Sequence, residues 1–480
     1  MAIQPTANAP RSIVIVGGGF SGALFGLKLH RARPHWRIAI VEPKKRIGRG
    51  IAYGACDPEH LLNVPVSRME IGLVPGFAEW LAPRNQEIAD ALSESGGDLP
   101  SAYVPRQMFG DYIEERVGEA LSAKARTGLT SIRGEAVRLL DGARGVLLTD
   151  GREIHADIVV LAMGNLPPRP PGGPDRWLYD TGFFIPDPWA RDAFDGVEPE
   201  EPILLIGAGL TTVDIVLRLA RAGHRGKMLA VSRRGLKPLQ HKAGGAWGEF
   251  LHDKIPARPS VLAKLIRDEV AKADAKGVPW QRVFDAARPA VASVWHHWDE
   301  RERRQFLRHL RVRWDIHRHR VAPCIGDALE ALQAKGQLEI VAGRIAGYQE
   351  LGDEVEAGIH LRGGGARKFK AGHVVNCTGP GGDFDRIAIP LIADLRERRL
   401  AMADPLGVGL ETNDCAVRDA TGKPSSWLFA LGPLTRPTWW EITAVPEINV
   451  QVDRLVAQLT SATPAPSLTA ADFLGMGEGI

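Results

Sequence analysis

An α/β fold built from two similar units is what this sequence predicts, and three observations predict it. An apolar run closes in a glycine turn and opens into a helical pattern twice, in "SIVIVGGGFSG" (Ser12 to Gly22) and in "ILLIGAGLTTVD" (Ile203 to Asp214). Each copy is followed by a second strand-like run, "RIAIVE" and "KMLAVSRRG". Each is later answered by a buried-type strand that stops at small-x-Gly, "ADIVVLAMG" at Gly164 and "AGHVVNCTG" at Gly379. Strand, glycine turn, helix and parallel strand together specify a Rossmann-like dinucleotide-binding domain, here made twice. A chain of 480 residues has room for both.

In the first unit Gly17, Gly19 and Gly22 have the spacing G-x-G-x-x-G, and Phe20 and Ser21 open a helix whose apolar face carries Ala23, Leu24 and Leu27. The glycines serve a tight turn, close approach of backbone to a pyrophosphate, and close contact of helix with strand. The helix N-terminus offers free N–H groups and partial positive charge to the phosphates. Glu42 ends the next strand, 20 residues beyond Gly22, where a carboxylate accepts hydrogen bonds from ribose hydroxyls.

The second unit repeats this with two changes. Gly207 and Gly209 keep their places, but Thr212 replaces the third glycine, so helix and strand are expected to stand slightly further apart. Ser232 lies as far from Gly207 as Glu42 does from Gly17, and the carboxylate is gone. Ser232, Arg233 and Arg234 supply a hydroxyl and two guanidiniums, which suit a 2′-phosphate.

These signals divide the chain into a first unit over residues 1–197, a second over 198–380 with a largely helical insertion at 236–333, and a return of the first unit over 381–480. In the insertion "RPSVLAKLIRDEVAKADAKG" is helical, and Phe306, Leu310 and Trp314 recur at i, i+4, i+8, a stripe expected to be core. The return contains "SWLFALGP", a strand running into Gly432, and "AVPEINVQVDRLVAQL", an amphipathic helix with Pro446 in its first turn.

Composition excludes several classes. With 44% hydrophobic residues, 24% charged and no apolar run of membrane-spanning length, the chain is expected to be soluble, and "MAIQPTANAPR" lacks a signal-peptide pattern, so cytoplasmic residence is expected. A balance of 60 basic against 57 acidic residues argues against a nucleic-acid partner, despite seven arginines between Arg303 and Arg320. Cys56, Cys324, Cys377 and Cys415 have neither zinc-ribbon nor redox-pair spacing, and no metal site is expected.

Two dinucleotides in one chain make chemical sense when one gives a hydride and the other takes it and passes electrons on. A flavin does the latter, which assigns FAD to the first turn and NADPH to the second.

The chain resembles the two-dinucleotide-domain flavoproteins, and more closely a bacterial FAD/NAD(P)-binding protein family. The segments that carry the likeness are "GGGFSG", "HLLNVP", "YVPRQMFGDY", "GAGLTTVD", "SRRGLKP", "FLRHLRVRWDIHRHR" and "ALGPLTR…WWEITAVPEI", spread from Gly17 to Ile448. Pro437, where many relatives have glycine, and Thr212 depart from the pattern. Relatives of the family include flavin-containing and N-hydroxylating monooxygenases, some acting on amino acids, aspartate among them.

The resemblance implies a single-component NADPH-dependent monooxygenase that uses O2 to hydroxylate an amine of a small molecule through a C4a-hydroperoxyflavin. The alternative is an NADPH-dependent flavin reductase or dehydrogenase that passes electrons to a partner or small acceptor. It also implies that Asn63 in "LLNVP" lies beside the flavin ring. Arg106 in "YVPRQ" either holds a substrate or cofactor anion or forms a surface ion pair. Trp440 and Glu441 are expected at the rim of a substrate pocket, the other reading being packing for the tryptophan and a cap-region charge for the glutamate. The sequence leaves oligomeric state and substrate identity open.

Overall fold

In the computed structural model, which describes residues 11–122, 128–172, 175–251 and 255–461, the two glycine turns lie in two separate seven-stranded sheets. In the first sheet Ser12–Val16 is central. Arg37–Glu42 and then Leu129–Arg133 lie on one side of it, and Ile158–Leu161 and Pro424–Ala430 on the other, all parallel. Ala416–Arg418 and Thr412–Asn413 finish that edge antiparallel. The Ser12–Val16 and Ile158–Leu161 strands are buried at every position, as apolar runs covered on both faces must be. The C-terminal part of the chain thus adds strands to the sheet of the first glycine turn.

The second sheet places Ile203–Ile206 between Met228–Ser232 and His373–Asn376, again parallel. Leu338–Leu351 pairs with Met228–Ser232 and runs on into an antiparallel meander with Glu354–Leu361 and Ala366–Ala371. The matching stretch of the first half instead forms a separate three-stranded sheet, Ala136–Leu139, Gly145–Leu148 and Glu153–His155. Phe184–Ile185, which precedes residue 198, pairs with His373–Asn376 in the second sheet.

Between Met228–Ser232 and Leu338–Leu351 an extended loop leads into a helical stretch, from Pro259–Asp274 through Trp280–Ala287 to Pro323–Ala334. The helix expected to carry the apolar stripe is two helices, Glu300–His309 and Arg311–Arg318, meeting at Leu310. The stripe is core nonetheless: Phe306 and Trp314 pack with Trp295, Trp298 and, from the return, Val408 and Trp440. The insertion is thus anchored on the first unit's C-terminal part rather than free in solvent. No helix among the described residues is long and apolar enough to cross a membrane.

Candidate active site between the two glycine turns

At their first glycine the turns are built alike. Gly17 has φ +105° and Gly207 φ +126°. A methyl group on Gly17 would stand 2.3 Å from the carbonyl oxygen of Ala162, and one on Gly207 2.3 Å from that of Cys377. Each strand behind the turn thus forbids a side chain at the first glycine. Two residues further on, at Gly164 and Gly379, φ is +69° and +86° and a Cβ would meet open space. The helices Phe20–Ala32 and Leu210–Arg221 begin at Gly19 and Gly209 with no side-chain cap, so their first N–H groups are available to phosphate oxygens.

The third position separates the two turns. A Cβ on Gly22 would lie 2.0 Å from the Gly17 carbonyl oxygen, whereas the second turn buries the whole side chain of Thr212. In the first unit the Glu42 carboxylate accepts the Gly18 N–H at 2.7 Å and the Lys44 N–H at 3.1 Å, so it stands against the turn. Ser21 meets the return of the chain: a Cβ on Gly432 would be 2.8 Å from its Oγ. The Phe20 ring turns away into the core, edge-on to Tyr53 and tilted against Phe109.

In the second unit Ser232 Oγ accepts the Gly235 N–H at 3.0 Å. The Arg234 guanidinium reaches the His309 carbonyl at 3.3 Å, and Arg233 is exposed. Burial, then the like charges of Arg362, Arg313 and Arg233, push Arg234 below its ordinary value.

A cleft of about 1730 Å³ opens on this turn. Its walls are Gly207–Thr211, Ser232–Arg234, the Asn63–Pro65 and His241–Gly244 loops, the end of the insertion from Arg311 to Arg320, and Thr443–Val445 at the start of the last helix. Asn63 therefore lies where the two units meet. Its carbonyl oxygen accepts the Nε2–H of His241 at 2.9 Å, and burial, with the charge of Arg320, pushes that imidazole down to about 4, so it is neutral.

Arg106 also borders the cleft, but both ends of its fork are taken. Nη1 and Nη2 each donate to Asp214 at 3.0 Å, and Nε donates to the Leu61 carbonyl. The ion pair is real and buried rather than on the surface.

Trp440 and Glu441 are not at the rim. Trp440 is 2% exposed and stacks on Trp295 at 4.2 Å, while Glu441 accepts from Trp314 Nε1 and pairs with Arg318, each at 2.9 Å. Both lie one layer behind the wall, because the insertion docks on the return and buries them.

Two cleft residues carry no sequence signal of their own. The Arg68 guanidinium makes no hydrogen bond or ion pair with the described residues, and burial together with Arg288, Arg282 and Arg318 pushes it below its ordinary value. Arg436 lies 4.3 Å over the Trp440 ring, its Nε buried without a hydrogen-bond partner, and burial with the charge of Arg311 holds it at about 10. Asp214, by contrast, was findable: it is a carboxylate flanked in sequence by Val213 and Ile215, and all three are buried. Among the described residues no cluster could hold a metal, and all four cysteines are unpaired.

Residues 14–166 match a family described as FAD-NAD(P)-binding, and no curated protein matches the chain. Among solved structures, it is similar to the ornithine N-hydroxylase of Kutzneria sp. 744, in complex with reduced FAD, NADP+ and L-ornithine. That likeness has a TM-score of 0.63 at 14% identity and covers 94% of this chain and 99% of the other. L-lysine 6-monooxygenase from Pseudomonas syringae gives 0.63 at 16%, covering 94% and 100%. The bacillithiol disulfide reductase of Bacillus cereus gives 0.53 at 14%, covering 95% and 100%. Identities this low establish a shared fold of two dinucleotide-binding domains.

Proposed function

We propose that this chain is an FAD-dependent, NADPH-using monooxygenase that hydroxylates the amine of a small molecule, and that the molecule also carries an acid group. The observation that carries the proposal is a cleft joining the second cradle to Asn63, with Arg68 and Arg436 unneutralised in its walls. The residues of the first turn fit FAD: a forced glycine backbone, an uncapped helix N-terminus and the Glu42 carboxylate. Those of the second fit NADPH, with Arg233 and Arg234 for the 2′-phosphate.

Bound flavin would supply hydride acceptance and oxygen activation; the chain's own residues do the rest. Unpaired guanidiniums gain a charge-assisted hydrogen bond when a carboxylate arrives. The same positive field disfavours an ammonium ion, so it lowers the pKa of a bound amine and presents the neutral nucleophile that N-hydroxylation requires. The insertion, docked through Trp295 and Trp440, forms one wall and helps exclude water, which otherwise diverts oxygen chemistry to peroxide. A disulfide reductase reading, although the fold admits it, has no dithiol to use: Cys56 is single and burial pushes its thiol up.

The experiment is anaerobic reduction by NADPH followed by oxygen pulses with amines that bear or lack a carboxylate. Product close to one per NADPH is expected for an acid-bearing amine. Peroxide alone across the panel would leave the flavin reductase reading standing, and preference for an acid-free diamine would remove the role given to the arginines. Arg68→Ala and Arg436→Ala should each raise KM for the substrate about 10- to 100-fold, the worth of one charge-assisted hydrogen bond, while NADPH still reduces the flavin.

A further inference from the structure

The stretch Asp57–Asn63 belongs to the first unit by sequence, yet the second unit holds it at four points, three through its side chains and one through the Asp214 backbone carbonyl. Arg218 reaches Asp57 at 3.1 Å and Arg221 reaches Glu59 at 3.6 Å. His60 takes the Asp57 N–H on Nδ1, which fixes its proton on Nε2, and donates that proton to the Asp214 carbonyl at 3.0 Å. His241 donates to the Asn63 carbonyl. Arg106, from the first unit, completes the grip: its Nε holds the Leu61 carbonyl, its N–H the His60 carbonyl, and its fork is chelated by Asp214.

We infer that the second unit sets the position of Asn63, through Asp214 acting on Arg106 and His60 and through His241 acting on the asparagine's own carbonyl. Asp214 and His241 are positioning residues; neither needs to touch a substrate.

Their places in the chain give the clamp a purpose. Asp214 lies on the helix whose N-terminus forms the second phosphate cradle, five residues beyond Gly209. His241 lies on the loop that follows Ser232–Arg234 and opens the insertion, and that loop is pinned to the insertion's far end, the His241 N–H bonded to the Val321 carbonyl at 2.9 Å. The two elements that would grip NADPH are therefore the two that grip the asparagine segment. Residues joined through one buried, charged network respond together, because leaving either partner unpaired is costly. The fully engaged fork of Arg106 is explained in the same way: its task is structural and directed at Leu61, not at a ligand anion. The catalytic consequence rests on the monooxygenase reading above, whereas the clamp itself stands on the contacts.

The test is hydrogen–deuterium exchange on the flavin-loaded protein, with and without NADP+ as the probe. In the wild type NADP+ should slow exchange across residues 57–66. Asp214→Asn and His241→Leu should each speed exchange there about ten-fold and abolish the NADP+ effect, with strand Ser12–Val16 unchanged as the internal control. His241→Gln, whose amide can still donate to the Asn63 carbonyl, should keep exchange slow, a rescue that loss of packing would not give. If Asp214→Asn fails to fold, the leucine and glutamine variants at 241 carry the comparison.

Exchange over 57–66 that ignores both NADP+ and the substitutions overturns the inference. A second readout follows turnover: the share of NADPH electrons ending in peroxide should rise several-fold in His241→Leu and stay near wild type in His241→Gln. Peroxide from the wild type with every amine would instead strike down the monooxygenase reading, and the exchange data would still judge the clamp.

Discussion

Replacing Glu447 by glutamine removes the charge at the centre of a buried network that ties the last helix, Val445–Thr460, to the insertion. Arg288 grips the carboxylate with two hydrogen bonds, at 2.7 and 2.8 Å, and Arg318 adds a third at 3.1 Å while also pairing with Glu441. Burial alone would raise this carboxyl; the charges of Arg288 and Arg318 outweigh it and hold the group at about 2, against 4.5 when free. A gap of about 2.5 units at 1.36 kcal/mol each corresponds to about 3 kcal/mol.

Because the folded-state value is depressed, that stability is present above about pH 4.5 and is lost as pH falls from there through about 2. Glu447→Gln leaves Arg288 buried beside a neutral partner, so at pH 7 it should cost about 3 to 5 kcal/mol. Urea unfolding of both proteins at pH 7, 5, 4 and 3 measures the difference, which should shrink by about 2 kcal/mol or more toward pH 3 as the wild type loses what the variant never had. A difference that stays constant from pH 7 to pH 3 would refute the assignment of the low carboxyl to these two arginines.

Three further outcomes follow from the geometry. Arg233→Ala and Arg234→Ala should each raise KM for NADPH about 10- to 100-fold and leave NADH almost untouched in steady-state reduction assays, since only the 2′-phosphate distinguishes the two. Gly17→Ala should give protein without bound flavin in its visible spectrum, because the methyl group meets the Ala162 carbonyl at 2.3 Å on a backbone with φ +105°. Trp440→Ala should cost about 3 to 5 kcal/mol in denaturant unfolding by emptying the stack against Trp295, as a core residue does.

The two cradles were legible because their requirements are local. Gly17 and Gly207 need a left-handed backbone and no side chain within a few residues of an apolar strand, and a reader of the sequence sees all of that in ten positions. The strands behind them, which stop shortly before Gly164 and Gly379, are equally local. Trp440 and Glu441 were misplaced because their surroundings come from Trp295, Trp314 and Arg318, more than a hundred residues away, and a tryptophan in such a connecting stretch reads the same whether it faces solvent or a helix.

By itself the sequence determined the α/β class, the doubled turn, the helical insertion and the residue types offered to two dinucleotides, since turn sterics, strand hydrophobicity and helical periodicity act over a few neighbours. Tertiary structure alone decided which charges remain free. Arg106 is spent on Asp214, Arg288 and Arg318 on Glu447, and Arg68 and Arg436 are left facing the cleft. Whether a guanidinium is neutralised depends on carboxylates brought from distant parts of the chain, and only the folded arrangement fixes those distances.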